Sequence, residues 1–272
     1  MSPLGAGRTS ALAYGEGVPA GETQGPPLLC LHGFPENSFM WRGLLEAAAD
    51  AGHRGYAPDM PGSGDSPADP PATWERLVEA VDGFVTELEL PPVVLVAHDW
   101  GGLIGLRWAC DHPERVAALV IADSGFFPDG NWHGMAAALR TPGTGEELVE
   151  AMTRESFGGL MNAVSPAMEE EAIDAYWKSL GTAAGQQAIL EMYRSGDFEK
   201  LAPYEGALAR LGLPTLILWG ENDEFSPVAG AHRFHREIPG SQLEVVADAG
   251  HFVFADAPET STAAVLEFLD GL

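Results

Sequence analysis

The sequence predicts an α/β fold with a mostly parallel, doubly wound sheet and an inserted helical segment. Two observations lead to this prediction. Short apolar runs alternate with amphipathic helical segments in residues 1–124 and again in 212–272, as expected for strands joined by helices. Between them, residues 125–211 have helical periodicity and no strong strand pattern. We therefore expect a core domain of residues 1–124 and 212–272 and a helical cap domain of residues 125–211.

The individual elements follow from the spacing of apolar residues and from the glycines and prolines that bound them. Short apolar runs predict strands at residues 28–31, 55–58, 93–97, 116–122, 214–219 and 243–246. Apolar residues spaced by three or four predict helices at residues 41–51, 73–88, 101–110, 146–154, 168–178, 186–193 and 259–269.

Charge and composition limit the partners that this chain can have. Its formal net charge is −26 at pH 7, which argues against a nucleic-acid partner and an anionic membrane surface, because both require a basic footprint. Cys30 and Cys110 indicate neither a disulfide framework nor a metal site. No apolar stretch has the length of a membrane span, and the N-terminal residues MSPLGAGRTS contain no apolar core of signal-peptide length. We expect a cytoplasmic monomer or homodimer.

One five-residue segment, Ala97-His98-Asp99-Trp100-Gly101, joins a predicted strand to a predicted helix. Small residues flank its central position with the spacing of a nucleophile elbow, a tight turn that exposes the central side chain. That residue is Asp99, and a carboxylate attacks saturated carbon rather than carbonyl carbon. The dipole of the following helix favours its ionised form. The alternative interpretation is that Asp99 only caps an ordinary helix.

Two further residues directly follow predicted strands. Asp223 follows the strand at 214–219, and His251 follows the last predicted strand. Sites gather at the carboxyl ends of parallel strands, so we expect both residues at the sheet edge that carries Asp99. The chain order is then nucleophile, acid, histidine. Asp123, after the strand at 116–122, is the alternative acid, and a lone loop aspartate or histidine is otherwise an ordinary surface residue.

With these residues placed, the chain from about residue 28 to residue 269 resembles the α/β-hydrolases, in their epoxide hydrolase and haloalkane dehalogenase branch. The matching motifs are HGFPE at 32–36, DMPGSGDS at 59–66, HDWGG at 98–102 and the GHF histidine at 251. The resemblance implies the α/β-hydrolase fold, with its core sheet and inserted helical cap.

The resemblance also implies a reaction in two steps. Asp99 attacks a substrate carbon and forms an alkyl-enzyme ester. His251, oriented by Asp223, then deprotonates the water that hydrolyses this ester. The backbone N–H groups of Phe34 and Trp100 bind the oxyanion or the leaving group. No metal or organic cofactor is implied, and the partners are a small apolar electrophile and water.

Tyr193 favours an epoxide as the substrate. It resembles the cap tyrosine that donates a hydrogen bond to the epoxide oxygen, whereas a structural tyrosine would only pack the cap. Many dehalogenases have asparagine at the position of Phe34. The alternative is a haloalkane dehalogenase in which Trp100 and a cap tryptophan, Trp132 or Trp177, bind the halide.

Three points of the resemblance stay open. The Trp132-His133 pair is similar to one in fluoroacetate dehalogenases, but Trp100 stands where those enzymes carry arginine. Tyr176 matches the second tyrosine of epoxide hydrolases poorly by position. A binding module of the same fold is a third hypothesis, against which the complete triad argues. A serine esterase is disfavoured because the elbow holds no serine. We expect an apolar pocket lined by aromatic side chains under the cap.

Overall fold

The structure, a computed structural model, describes residues 2–6, 9–15 and 24–272. In these residues, eight strands form a single sheet: β1 (Ser2–Ala6), β2 (Thr9–Tyr14), β3 (Leu28–Leu31), β4 (Gly55–Pro58), β5 (Val93–His98), β6 (Val116–Ala122), β7 (Thr215–Gly220) and β8 (Gln242–Val246). Their order across the sheet is β1-β2-β4-β3-β5-β6-β7-β8.

The sheet is parallel from β4 to β8, whereas β1 and β2 pair antiparallel with each other and β2 pairs antiparallel with β4. The prediction of a mostly parallel sheet is thereby confirmed. The antiparallel pair at the edge was not predicted, because its strands mix glycine, serine and threonine with few large apolar residues. Leu31 of β3 pairs with Ala97 of β5, which pairs with Ile121 of β6, so the three strands end at the same edge.

Twelve α-helices occur within the described ranges: α1 (Arg42–Asp50), α2 (Trp74–Glu87), α3 (Trp100–Asp111), α4 (Gly134–Arg140), α5 (Thr144–Ala151), α6 (Arg154–Val164), α7 (Glu170–Leu180), α8 (Ala183–Ser195), α9 (Ala207–Leu211), α10 (Ala229–Glu237), α11 (Val253–Asp256) and α12 (Pro258–Asp270). Short 3-10 helices cover Ser38–Trp41, Pro113–Arg115 and Phe198–Tyr204. None of the helices in these ranges has the length and hydropathy of a membrane span.

Helices pack on both faces of the sheet, as the doubly wound prediction requires. Successive residues of a strand point to opposite faces, so Leu28 and Leu31 of β3 lie on different sides. Leu45 of α1 packs beside Leu28, at the position where Gly55 leaves space for it. Gly105 of α3 approaches Leu31 on the other face. The elbow helix therefore packs directly against the strand that precedes the HGFPE motif.

The segment between β6 and β7 is helical and contains α4 to α9. The sequence predicts one helix at 146–154, but the structure has a break there. Helix α5 ends at Ala151 and α6 begins at Arg154, because the Thr153 side chain accepts a hydrogen bond from the Ser156 N–H and caps a new helix. The short helices α4 and α9 were not predicted. The division into core and cap domains stays a prediction.

Candidate active site

Asp99 occupies a strained turn between β5 and α3. Its φ of 49° and ψ of −121° lie in a region that side chains other than glycine rarely adopt. Close packing holds this conformation. A Cβ atom at Gly101 would lie 2.1 Å from the carbonyl oxygen of Leu31, and one at Gly102 would lie 2.1 Å from Ser124 Oγ. The small residues of the elbow motif are therefore needed for the helix to start this close to the sheet.

A backbone donor faces the Asp99 carboxylate. The N–H of Phe34 donates a hydrogen bond of 2.8 Å to Asp99 Oδ1. His32 fixes the preceding turn, because its Nε2 accepts from the Met60 N–H and its Nδ1–H then donates to the Gly33 carbonyl oxygen. Trp100 opens α3, where the N–H groups have no partner within the helix. The site can thus stabilise negative charge on Asp99 Oδ1.

His251 lies between two carboxylates. Its Nδ1 is 2.9 Å from Asp223 Oδ2, and its Nε2 is 3.6 Å from Asp99 Oδ2. Asp223 is itself held in place, since its Oδ1 accepts hydrogen bonds of 2.8 Å from the N–H groups of Phe225 and Ser226. The three residues have the connectivity of a nucleophile–histidine–acid triad, with the proton of the histidine directed at Asp223 through Nδ1.

The charges of the triad depend on one another. Burial opposes ionisation of Asp99, but the hydrogen bond and charge of His251, the charge of His98 and the Phe34 N–H together lower its pKa to about 2. Burial lowers the pKa of His251, yet the charge and hydrogen bond of Asp223 and those of Asp99 outweigh it and raise the pKa well above its ordinary value. These interactions favour the anionic form of Asp99 and the protonated form of His251.

Asp123, the alternative acid, is fully buried beside this triad. Its Oδ1 accepts a 2.9 Å hydrogen bond from the Gly220 N–H, and its Oδ2 is without a partner among the described residues. Burial and the charge of Asp223 raise the pKa of Asp123 well above its ordinary value, which favours the neutral acid. The structure thus joins Asp223 rather than Asp123 to His251. Within the described ranges, no group of His, Cys, Asp and Glu side chains is arranged to hold a metal ion.

Two residues that sequence reasoning missed lie behind His251. His98 is fully buried, with Nδ1 2.7 Å from Glu36 Oε2 and Nε2 2.8 Å from the carbonyl oxygen of His251. Both neighbours are acceptors, so both ring nitrogens donate. Burial lowers the pKa of His98, but the charge and hydrogen bond of Glu36 raise it to about 9. The HGFPE and HDWGG motifs contain this pair, but only the fold brings the two residues together.

Tyr193 lies at the end of α8, buried against the elbow. Its ring centroid is 5.4 Å from that of Phe34 and 5.2 Å from that of Trp100, in edge-to-face contacts. Burial and the negative charge of Asp99 raise the pKa of Tyr193 well above its ordinary value, so the hydroxyl keeps its proton. Arg140 holds the end of α8, because its Nη1 donates a 2.5 Å hydrogen bond to the carbonyl oxygen of Tyr193.

The Trp132-His133 pair also reaches the site. The Trp132 ring stacks on Trp100 with centroids 5.4 Å apart. His133 caps α4, with Nδ1 accepting from the Ala136 N–H, so its single proton is on Nε2. Burial lowers the pKa of His133, which favours the neutral ring. His133 therefore presents one N–H donor.

The structure does not bring Tyr176 and Trp177 to Asp99. Tyr176 faces a separate cavity that it shares with Glu36 and Met60, and the charges that act on its hydroxyl come from Glu36, Arg42 and Glu169. Trp177, next on α7, packs against Phe157, with centroids 5.7 Å apart. The cavity of Tyr176 also borders Phe34 and Trp100 but not Asp99, so the pocket role of Tyr176 and Trp177 stays a prediction.

Two cavities adjoin Asp99. The methionine cavity has a volume of about 40 Å³. Its apolar wall is formed by Met135, Met152, Phe157, Leu160, Met161 and Val164. The tryptophan cavity has a volume of about 300 Å³. Its wall includes Trp100, Leu103, Gly125, Phe127, Trp132 and Phe198. Four residues line both cavities, namely Asp99, His133, Tyr193 and Phe225.

Comparisons with known proteins agree with this architecture. Residues 26–258 match the family model for the alpha/beta hydrolase fold. A haloalkane dehalogenase of Mycobacterium marinum is 33% identical, over 88% of this chain and 83% of its own. Epoxide hydrolase 3 of Siraitia grosvenorii is 29% identical in sequence, over 90% of this chain and 92% of the relative's own chain. A cis-3-alkyl-4-alkyloxetan-2-one decarboxylase of Shewanella oneidensis is 27% identical in sequence, over 91% of this chain and 83% of the relative's own chain.

The family match spans most of the chain, and the fold brings Asp99, Asp223 and His251 together. The chain therefore belongs to the α/β-hydrolase superfamily and is a hydrolase of that superfamily.

Proposed function

We propose that this hydrolase converts epoxides into vicinal diols through a covalent ester on Asp99. The observation that supports the proposal most is the position of Tyr193, a neutral phenol that lines the same two cavities as the ionised Asp99. Opening an epoxide leaves an alkoxide that needs a hydrogen-bond or proton donor, whereas a departing halide needs no proton. The epoxide hydrolase of Siraitia grosvenorii, 29% identical, is consistent with this chemistry.

In the first step, Asp99 Oδ2 attacks an epoxide carbon. Oδ1 is already bound by the Phe34 N–H, which leaves Oδ2 as the attacking atom. As the new C–O bond forms, the ring C–O bond breaks and its electron pair moves to the ring oxygen. The Tyr193 hydroxyl donates to that oxygen, and the Nε2–H of His133 is the second donor, since Tyr176 faces another cavity.

In the second step, water hydrolyses the ester. The esterified Asp99 is neutral, so it no longer raises the pKa of His251, and the histidine loses its proton, by way of solvent, to the alkoxide that ring opening produced. His251 Nε2 then takes a proton from water, and the oxygen attacks the ester carbonyl carbon. Negative charge develops on Oδ1 beside the Phe34 and Trp100 N–H groups. As this intermediate collapses, the bond between the carbonyl carbon and the substrate oxygen breaks, and the proton of the added hydroxyl passes to that oxygen, which releases the diol and regenerates the Asp99 carboxylate.

The second candidate is a haloalkane dehalogenase. It is favoured by the Mycobacterium marinum relative and by the stacked indoles of Trp100 and Trp132, which both line the tryptophan cavity. Indole N–H groups are suitable halide donors. In this case Tyr193 would serve only as packing between the elbow and α8.

A substrate with both groups separates the candidates. Epibromohydrin is incubated with the enzyme, and the bromodiol, glycidol and bromide are quantified, with Asp99→Asn as the control for reactions that need no nucleophile. The proposal predicts bromodiol without bromide. Glycidol with bromide would establish the dehalogenase, and neither product, followed by no turnover of larger epoxides, would favour a binding module.

A further inference from the structure

The Asp256 carboxylate joins the loop that carries His251 to the end of helix α6. Its Oδ2 accepts a 2.8 Å hydrogen bond from the N–H of Gly250, the residue before His251. Its Oδ1 accepts a hydrogen bond from the hydroxyl of Ser165, the residue that directly follows α6. Asp256 itself is the last residue of the short helix α11, so it connects two segments to which it does not belong.

Burial makes this connection firm. Ser165 is fully buried, and its N–H donates a 2.8 Å hydrogen bond to the carbonyl oxygen of Met161, so its backbone is part of the helix end. A buried hydroxyl that lost Asp256 would lose its acceptor, which is costly away from water. Gly250 lies against the same helix end, because a Cβ atom there would be 3.2 Å from Asp256 Oδ2 and 3.9 Å from the carbonyl oxygen of Val164.

The helix end that Asp256 holds is also a wall of the methionine cavity. Leu160, Met161 and Val164 of α6 line this cavity together with His251. Its volume of about 40 Å³ has space for roughly three water molecules. A larger group that enters the cavity therefore has to displace part of the wall. Without a connection between the two segments, such a displacement would move α6 relative to His251.

The other contacts of the His251 loop come from the sheet. His98 donates a hydrogen bond to the carbonyl oxygen of His251, and a Cβ atom at Gly220 of β7 would lie only 2.0 Å from the carbonyl oxygen of Gly250. These contacts hold the loop against the sheet, whereas Asp256 holds it against α6. A general base has to lie within hydrogen-bond reach of its water, so its catalysis is sensitive to small displacements.

From these contacts we infer that Asp256 is a positioning residue for the second step of the reaction. It ties the loop of the base to the last turn of α6, so that His251 and this wall of the methionine cavity move together when the cavity is occupied. The effect on catalysis rests on the proposed function. Loss of the connection should slow hydrolysis of the ester on Asp99, which needs His251 as base, and should spare formation of the ester, which does not.

Four variants separate the two hydrogen bonds of Asp256. Asp256→Ala removes both bonds, and Ser165→Ala removes only the bond to the end of α6. Asp256→Asn keeps an acceptor for the Gly250 N–H, and its amide N–H can donate to the Ser165 oxygen, so it retains the connection without the charge. Ser261→Ala is the matched control. Ser261 is as fully buried as Ser165, but its hydroxyl donates a 2.9 Å hydrogen bond to the carbonyl oxygen of Val253, which is not part of α6.

The first arm of the test measures the two steps separately. Each protein is mixed with styrene oxide and quenched at increasing times, and the esterified fraction is determined by mass spectrometry of the intact protein. We expect Asp256→Ala and Ser165→Ala to slow ester hydrolysis about tenfold or more and ester formation less than about threefold. Asp256→Asn and Ser261→Ala should keep both rates within about threefold of the wild-type rates. Unchanged hydrolysis, an equal loss in both steps, or the same loss in Ser261→Ala would overturn the inference.

The second arm needs no substrate. The Nδ1 proton of His251, which is directed at Asp223, should give a strongly downfield proton NMR resonance, and its exchange with water reports how firmly the ring is held. We expect the exchange rate to rise about tenfold in Asp256→Ala and in Ser165→Ala and to stay unchanged in Ser261→Ala. Equal exchange rates in all the proteins would overturn the inference.

The two arms keep the inference separate from the proposed function. If the wild-type enzyme forms neither ester nor diol from styrene oxide or from larger epoxides, the proposed function fails, and the NMR arm alone decides whether Asp256 positions His251. If Asp256→Ala does not fold, Ser165→Ala decides both arms, because it leaves the bond between Asp256 and Gly250 in place.

Discussion

The imidazole rings of His98 and His251 face each other with centroids 4.9 Å apart, and Nε2 of His98 donates a 2.8 Å hydrogen bond to the carbonyl oxygen of His251. The other nitrogen of His98 binds Glu36. The buried Glu36–His98 pair thus supports the backbone of the triad histidine. This pair positions His251 and does not touch the cavities that hold Asp99.

The Glu36–His98 pair should make stability depend on pH. The pKa of His98 is about 9 in the folded state and 6.5 in the unfolded state, so its stabilisation is complete below pH 6.5 and is lost as pH rises toward 9. We expect the melting temperature of the wild-type protein to fall over this interval, and that of His98→Gln to fall less. Thermal unfolding of both proteins at pH 6, 7.5 and 9 measures this. The raised pKa of His251 also lowers stability as pH rises. His251→Gln is therefore the control, because this variant keeps the pH dependence of the melting temperature that comes from His98. Equal slopes in wild type and His98→Gln would refute this origin.

The two acidic candidates should respond differently to neutralisation. Asp223→Asn removes the charge that holds the proton on His251 Nδ1, and we expect kcat to fall about 10³- to 10⁴-fold. Asp123→Asn replaces a carboxyl group whose neutral form is already favoured, so we expect kcat to change by less than about tenfold. The steady-state rate of diol formation by each variant gives the two values of kcat to be compared. The opposite ranking would make Asp123 the working acid.

Removal of the phenol should affect epoxides selectively. Tyr193→Phe keeps the ring packing on Phe34 and Trp100 but loses the donor, so we expect a fall of about 10²- to 10⁴-fold in the rate of epoxide opening. His133→Phe loses the second donor and should reduce the same rate less. Single-turnover kinetics with an epoxide measure both. An unchanged rate in Tyr193→Phe would assign that residue to packing.

The two half-reactions should have different pH profiles. Asp99 has a pKa of about 2, so ester formation is not limited by its ionisation from pH 5 to 8. Ester hydrolysis needs neutral His251, whose pKa falls when Asp99 is esterified, so its rate should rise with pH until that group has titrated. Stopped-flow tryptophan fluorescence resolves the two phases, since Trp100 adjoins the nucleophile. A hydrolysis rate independent of pH from 5 to 9 would contradict the assignment of His251 as base.

The sequence is most informative where function depends on strand ends. Asp99, Asp223 and His251 each follow an apolar strand, and the parallel register then brings them to one edge, so their proximity could be predicted without a structure. The fold class follows from the same alternation of strands and helices. Their catalytic roles remain predictions that the variants above test.

Other features depend on packing that local patterns do not encode. Glu36 and His98 are 62 residues apart, and only the tertiary fold pairs them. The direction of Tyr176 depends on how α7 is rotated, which a helical pattern alone does not specify. The two cavities depend on the placement of α4 to α8 over the sheet, and periodicity predicts that these helices exist but not where they pack.

The most direct test of the covalent mechanism is a mass measurement on His251→Gln. Glutamine removes the base while Asp99 keeps the Phe34 N–H bond, so the ester should form and persist. After incubation with an epoxide that the wild-type enzyme hydrolyses, we expect the mass of the protein to increase by that of the epoxide, with the increment on the peptide that contains Asp99 and absent from an Asp99→Asn, His251→Gln double variant. No adduct, or an adduct on another residue, would contradict Asp99 as the nucleophile.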